Sequence, residues 1–174
     1  MSETSLAFPS PVGELLLTAS DRALRSVQFP NSPMVPVSVT WSSPAFPRSA
    51  GRRGGTEEIL ERTGAQLAEY FAGTRTAFDL PLDPSGTAFE RRVWDALRAI
   101  PYGTTVSYGE LARRLGDVRA TRAVGAANGK NPIPIIVPCH RVVGSRGELT
   151  GFGGGVERKR WLLEHEGALL RLGR

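Results

Sequence analysis

The longest apolar run in this chain is short and broken. It is IPIIV, residues 133–137, with Pro134 inside it and Pro132 and Pro138 on either side. A membrane span needs roughly 18–20 uninterrupted apolar residues. The chain is therefore read as soluble, with no membrane partner, and built from short elements between frequent turns. Its 174 residues suit one ordinary domain or two small ones. A hydrophobic content of 40% supports a packed core and excludes a disordered chain. The opening MSETSLAFPSP has neither the basic n-region nor the apolar h-region of a signal peptide, so a cytoplasmic location is expected.

The punctuation divides the chain. The first thirty residues read as strands, with ELLLTAS after Gly13 and RALRSVQFP after Asp21 placed around a turn. Residues 31–55, rich in Pro, Ser and Gly, read as loop with one candidate strand at VPVSVTW. Thr56 is expected to cap a helix that carries Glu57 and Glu58 in its first turn and stops at Gly73. FDLPLDP, residues 78–84, reads as a strand and linker, which places a boundary between an α/β domain at 1–83 and a second domain at 84–174.

The second domain reads as mostly helical. Thr87 and Glu90 make a capping box ahead of a stripe formed by Phe89, Val93, Leu97 and Ile100. Ser107 and Glu110 make another, opening YGELARRL, which Gly116 ends. A short, small-sided helix over TRAVGAAN follows, so the pair reads as a helix-turn-helix. A last helix, VERKRWLLEHE, closes at Gly167. Charge follows the same division. Residues 1–83 hold 7 Arg and 9 Asp/Glu, whereas residues 84–174 hold 13 Arg, 2 Lys and 8 Asp/Glu. The net charges are −2 and +7, which sum to the +5 of the whole chain and point the second half at a polyanion such as DNA.

Cys139 is the only cysteine, so no internal disulfide exists, and with His140 and His165 alone beside it a structural zinc site is not expected. A lone cysteine is ordinarily a buried small residue. Here it follows the proline-flanked run, expected to be a strand, and precedes His140 and Arg141, a base and a cation of the kind that can polarise a thiol and are expected to lower its pKa. Adjacent strand residues point to opposite faces, so a turn or a water would have to bring thiol and imidazole together.

PCHRVV, preceded by NPIPIIV and RAVGAAN, resembles the O6-alkylguanine-DNA alkyltransferases, also called methylated-DNA–protein-cysteine methyltransferases. The resemblance is dense from Thr87 to Gly167 and looser toward SPVGELLL. It implies an α+β fold: a small N-terminal ribonuclease H-like sheet domain, then a helical domain with a winged-helix-like helix-turn-helix. It implies direct-reversal DNA repair, in which the alkyl group of O6-alkylguanine passes once, irreversibly, to Cys139. O4-alkylthymine stands as a further substrate class. No cofactor is implied. The implied partner is double-stranded DNA bound through the minor groove, by a monomer whose cooperativity on DNA is left open.

The resemblance also assigns roles. Cys139 matches the alkyl acceptor, His140 the water-mediated base, and Glu166 the carboxylate that orients it. Tyr108 matches the hydroxyl that donates to guanine N3. Asn131 matches the residue tying the helix-turn-helix to the site, and Arg141 a structural arginine. Arg122 matches the finger that replaces the extruded nucleotide, with Ala120, Thr121, Ala123, Ala126 and Ala127 letting the helix lie close in the groove. Without the resemblance, the major groove is the expectation for a helix-turn-helix. Val142, Phe152 and Gly153 match the substrate pocket, with tyrosine in place of Phe152 in some members. The zinc site that some members carry in the N-terminal domain has no ligands here, because no Cys or His precedes residue 139. Three other readings account for less. A lesion-binding module would lack the acceptor cysteine. A transcription factor would carry further domains. A cysteine hydrolase would leave Tyr108, Arg122 and the basic half unexplained.

Overall fold

The β-rich opening folds as a three-stranded antiparallel sheet in the order β1 (Thr4–Phe8), β2 (Leu15–Ala19), β3 (Leu24–Gln28). The computed structural model describes residues 3–29 and 55–169 and divides into two units, Met1–Ser85 and Gly86–Arg174. In β2, Leu15, Leu17 and Ala19 are buried and alternate with half-buried residues, the period of a strand with one face on a core. The Ser20 hydroxyl accepts from the amides of Arg22 and Ala23 and so shapes the turn between β2 and β3. Composition points to two strand runs in this region, and the structure has three. The first strand, TSLAF, precedes the turn over residues 9–13, which Gly13 N closes on Ser10 O at 3.1 Å, and pairs along the whole of β2, Thr4 with Ala19 through Phe8 with Leu15.

Helix α1 (Thr56–Phe71) packs on this sheet through Leu60, Leu67, Tyr70 and Phe71, with the Phe8 and Phe71 rings stacked 6.3 Å apart. Gly55, not Thr56, is its N-cap, and Thr56 is the first helical residue. The expected strand over 78–84 does not form. Leu82 makes a single parallel bridge to Leu24, because Pro81 and Pro84 have no N–H to extend a ladder. The candidate strand and most of the loop expected at 31–55 lie outside the described residues.

The second unit is helical. Helix α2 (Ala88–Arg98) opens with the full capping box: Glu90 N donates to Thr87 Oγ1 at 3.1 Å and Thr87 N to Glu90 Oε2 at 2.9 Å. Strand β4 (Val106–Ser107) leads directly into α3 (Tyr108–Arg114), where Ser107 Oγ accepts from Glu110 N at 3.0 Å. The Glu110 carboxylate turns instead to Arg113 and Arg114. A 3-10 turn over Val118–Ala120 leads to α4 (Thr121–Gly129). Strand β5 (Val142–Val143) pairs in parallel with β4, and α5 (Val156–His165) closes the unit. No helix among the described residues is long and apolar enough to cross a membrane.

Residues 132–138 correct the sequence reading, since the apolar run before Cys139 forms turns and not a strand. Asn131 brackets it, its Nδ2 donating to Val137 O at 2.8 Å and its Oδ1 accepting from Ile133 N at 3.0 Å. Val137 N closes back on Ile133 O at 2.9 Å. Between these points Ile135 adopts φ 73° and is fully buried. A β-branched residue in that region is strained by roughly 1–3 kcal/mol, and here the surrounding bonds and packing hold it.

Candidate active site around Cys139

Cys139, His140 and Arg141 form a 3-10 turn, and all three are buried. The turn changes the strand geometry assumed from sequence, in which thiol and imidazole would face apart. His140 Nε2 lies 2.7 Å from Glu166 Oε1, a residue at the C-cap of α5. Arg141 grips the same carboxylate through two bonds of 2.9 Å, from Nε to Oε2 and from Nη2 to Oε1. Its Nη1 donates to Ile100 O at 2.7 Å, just beyond α2. Gly103 N also donates to Glu166 Oε2 at 3.4 Å, so residues 103 and 140–141 meet on this one buried carboxylate at the end of α5. Burial alone would raise the Glu166 pKa, but the His140 and Arg141 bonds and charges outweigh it and hold the carboxyl well below its usual range.

That carboxylate determines the chemistry of His140. An ionised carboxyl only accepts, so Nε2 carries the proton and Nδ1 is the basic nitrogen. Burial pushes the imidazole pKa below its ordinary value against the opposing pull of Glu166, so the ring is neutral at pH 7. Nδ1 is buried and has no hydrogen-bond partner among the described residues. The site therefore holds a neutral base with its accepting atom open.

The lowered thiol pKa expected from His140 and Arg141 is not found, and the Cys139 thiol is protonated at rest. Burial pushes its pKa up to about 11, against the Asn131 amide, the Lys159 charge and nearby backbone N–H groups, all of which favour thiolate. Asn131 thus shapes the turn before Cys139 and also acts on its sulfur. Tyr108 Oη donates to Thr150 O at 3.0 Å, and burial raises its pKa. The loop at 151 passes so close that a Cβ on Gly151, which has φ 66°, would stand 2.9 Å from Tyr108 Oη. Gly153 is exposed, and a Cβ there would lie 3.8 Å from Gly129 O. Val142 is fully buried and Phe152 half-buried.

On α4, Arg122 and Ala123 are exposed, while Ala120 and Thr121 at its start are half-buried. Ala127, expected on the groove face, is instead 3% exposed, and its carbonyl accepts from Trp94 Nε1 at 2.8 Å. It shares the inward face with Val124 and Asn128 at helical spacing, and that spacing turns it away from Arg122. His165 stacks on Trp161 at 4.9 Å, a packing role separate from its neighbour Glu166.

Two site residues escaped the sequence reading. Lys159 is fully buried, its Nζ donating to Val142 O and Thr150 O, both at 2.6 Å, and burial brings its pKa down to about 8. Its signal was a lysine three and four residues before Leu162 and Leu163, on the apolar face of α5. Asn128, 1% exposed, donates from Nδ2 to Cys139 O at 3.4 Å. Its signal was an asparagine four residues after Val124, on the buried face of α4.

Known proteins share this architecture along nearly its whole length. Residues 5–84 match the family model described as 6-O-methylguanine DNA methyltransferase, ribonuclease-like domain, and residues 88–168 match the DNA binding domain of the same enzyme. A methylated-DNA–protein-cysteine methyltransferase of Methanosarcina acetivorans is 43% identical over 162 residues, covering 92% of this chain and 96% of that one. One from Mycobacterium tuberculosis is 47% identical over 157 residues, covering 90% and 88%. The crystal structure of the M. tuberculosis O6-methylguanine methyltransferase superposes with a TM-score of 0.76 at 44% identity, covering 96% of this chain and 94% of that chain. A structure described as M. tuberculosis OGT in complex with DNA gives a TM-score of 0.75 at 42% identity, covering 93% and 91%. With both domain models matched in order and relatives this similar over most of the chain, the chain belongs to the 6-O-methylguanine DNA methyltransferase family.

Proposed function

We propose that this chain is a methylated-DNA–protein-cysteine methyltransferase that repairs O6-alkylguanine in DNA by moving the alkyl group onto Cys139, once per molecule. One observation carries the reading: a buried thiol next to a histidine whose tautomer is set by Glu166, so that Nδ1 is the free base. Nδ1 takes the thiol proton through a bridging water. The thiolate sulfur attacks the alkyl carbon, an S–C bond forms, and the C–O6 bond breaks with its electron pair going to the guanine. Tyr108 donates a proton to N3, so guanine leaves neutral. The thiol has lost one proton and guanine has gained one. Passage of the imidazolium proton back to the tyrosinate restores both groups, while the thioether stays.

The alkylated oxygen lies on the pairing edge of the base, out of reach of a buried thiol inside a duplex. The base is flipped out, at a cost of a few kcal/mol. Arg122, exposed near the start of α4, fills the stack from the minor groove, with Ala120, Thr121 and Ala123 allowing close approach. Val142, Phe152 and the Gly153 amide line the pocket, and the Gly153 N–H donates to O6. O4-alkylthymine presents a similar alkylated oxygen and is a second substrate class. The protein acts as a monomer in the cytoplasm.

Intact-protein mass after incubation with an O6-methylguanine oligonucleotide tests this. A single methyl on the Cys139 peptide, saturating at one per chain, is the expected result. Cys139→Ser should lose transfer and keep binding to alkylated DNA. An unchanged mass with tight lesion binding would make the protein a sensor and overturn the transfer reading.

A further inference from the structure

Asn128 holds an unexplained polar atom. The side chain is 1% exposed, and its Nδ2 donates to Cys139 O at 3.4 Å, which orients the amide. Its Oδ1 is buried without a hydrogen-bond partner among the described residues. An acceptor left in that condition is destabilising, so native structures rarely keep one without a use. The same amide acts on the Tyr108 hydroxyl and favours the ionised phenol. Gly125, one turn earlier on α4, packs on the Tyr108 ring, with a would-be Cβ 3.7 Å from Cδ1. Asn128 therefore sits between Tyr108 and Cys139, the two groups that bracket the base in the proposed transfer.

The chemistry of the base supplies the missing donor. With O6 at the thiol and N3 at Tyr108, the exocyclic N2 amino group is carried by the ring carbon next to N3. It is a donor with two hydrogens, arriving beside Tyr108. We propose that Asn128 Oδ1 accepts a hydrogen bond from the N2 amino group of the flipped guanine, making Asn128 a specificity-determining residue. The inference rests on the transfer reading above. It gives α4 two tasks, with its outer face on DNA and its inner face reading the purine. A base without the amino group leaves Oδ1 buried and unpaired, the situation that discriminates most strongly against an analogue.

The test compares methyl transfer to Cys139 from duplexes carrying O6-methylguanine or O6-methylhypoxanthine, the same base without the N2 amino group. Wild type and the variants Asn128→Leu and Asn128→Ala are each measured under excess DNA. Rate constants of the reacting fraction do not depend on how much protein is folded. Loss of the Nδ2 bond to Cys139 O affects both substrates alike, so the ratio of rates isolates Oδ1. Wild type is expected to prefer the guanine substrate, and both variants to reduce that preference about tenfold. An unchanged ratio, with both rates falling together, would overturn the specificity role and leave the transfer reading intact. No methyl on Cys139 from either substrate would overturn the transfer reading and this inference with it.

Discussion

At the scale of single residues, the site joins a thiol that is protonated at rest to a base that is neutral at rest. Cys139 stands at about 11 and His140 below its ordinary value, so at pH 7 the proton must pass from sulfur to Nδ1 as the reaction begins. With saturating DNA, the transfer rate should be level from about pH 7 to 9 and decline on the acid side, where imidazolium no longer accepts. In His140→Ala the solvent must remove the proton, so the rate should be far lower at pH 7 and climb about tenfold per pH unit. A level profile in the variant would contradict the base role. Glu166 is the second test. Its folded pKa lies below the unfolded value, so its contribution to stability is complete above the ordinary carboxylate range and is lost as the pH falls toward the depressed value. Glu166→Gln leaves Arg141 buried without its counter-charge and should cost about 3–5 kcal/mol in urea unfolding at pH 7.

At the scale of elements, most helix starts and stops were legible because they are local chemistry, although Gly55 and not Thr56 caps α1 and α4 runs through Gly129. The Thr87 capping box, the Ser107 cap, Gly116 after α3 and Gly167 after α5 all stand where residue type and spacing placed them. Prolines misled in two places. The runs at 78–84 and 132–138 are apolar enough for strands, yet they lack the N–H groups or the backbone conformation for a ladder. Helix α4 shows the limit of composition. Its alanines look alike in sequence, but Ala123 faces outward and Ala127 is buried under Trp94. The outward residue Arg122 belongs to this scale. Arg122→Ala should weaken repair of O6-methylguanine in a duplex at least tenfold, while transfer from the free alkylated base changes little. Equal losses on both substrates would remove the finger role. Either result is read from single-turnover rates on the two substrates.

At the scale of the molecule, the split in charge governs the approach to DNA. The +7 of residues 84–174 is carried largely by arginines, of which Arg119 has 92% of its side chain exposed at the turn before α4. Binding should weaken linearly in log–log terms as salt rises, and Arg119→Ala should reduce that slope by about 0.9, the value for one phosphate contact. The loss should be equal on alkylated and unmodified duplexes, measured by fluorescence anisotropy. An effect confined to the lesion would place Arg119 on the base instead.

The sequence by itself determined the short helices, their caps, the basic second half, and the pairing of one thiol with an adjacent base in a motif specific enough to indicate the family. All of these rest on residues within a few positions of one another or on simple counts. The tertiary structure alone decided that Glu166, 26 positions from His140, sets its tautomer while holding Arg141. It also decided that Ile135 is turned left-handed, that Lys159 and Asn128 are buried at the site, and that Nδ1 and Oδ1 are left open. Spacing fixes local hydrogen bonds, but which distant groups share a buried carboxylate depends on how whole elements pack. Burial in that packing pushes Cys139 up and His140 down, while the bonds and charges of His140 and Arg141 hold Glu166 low against it.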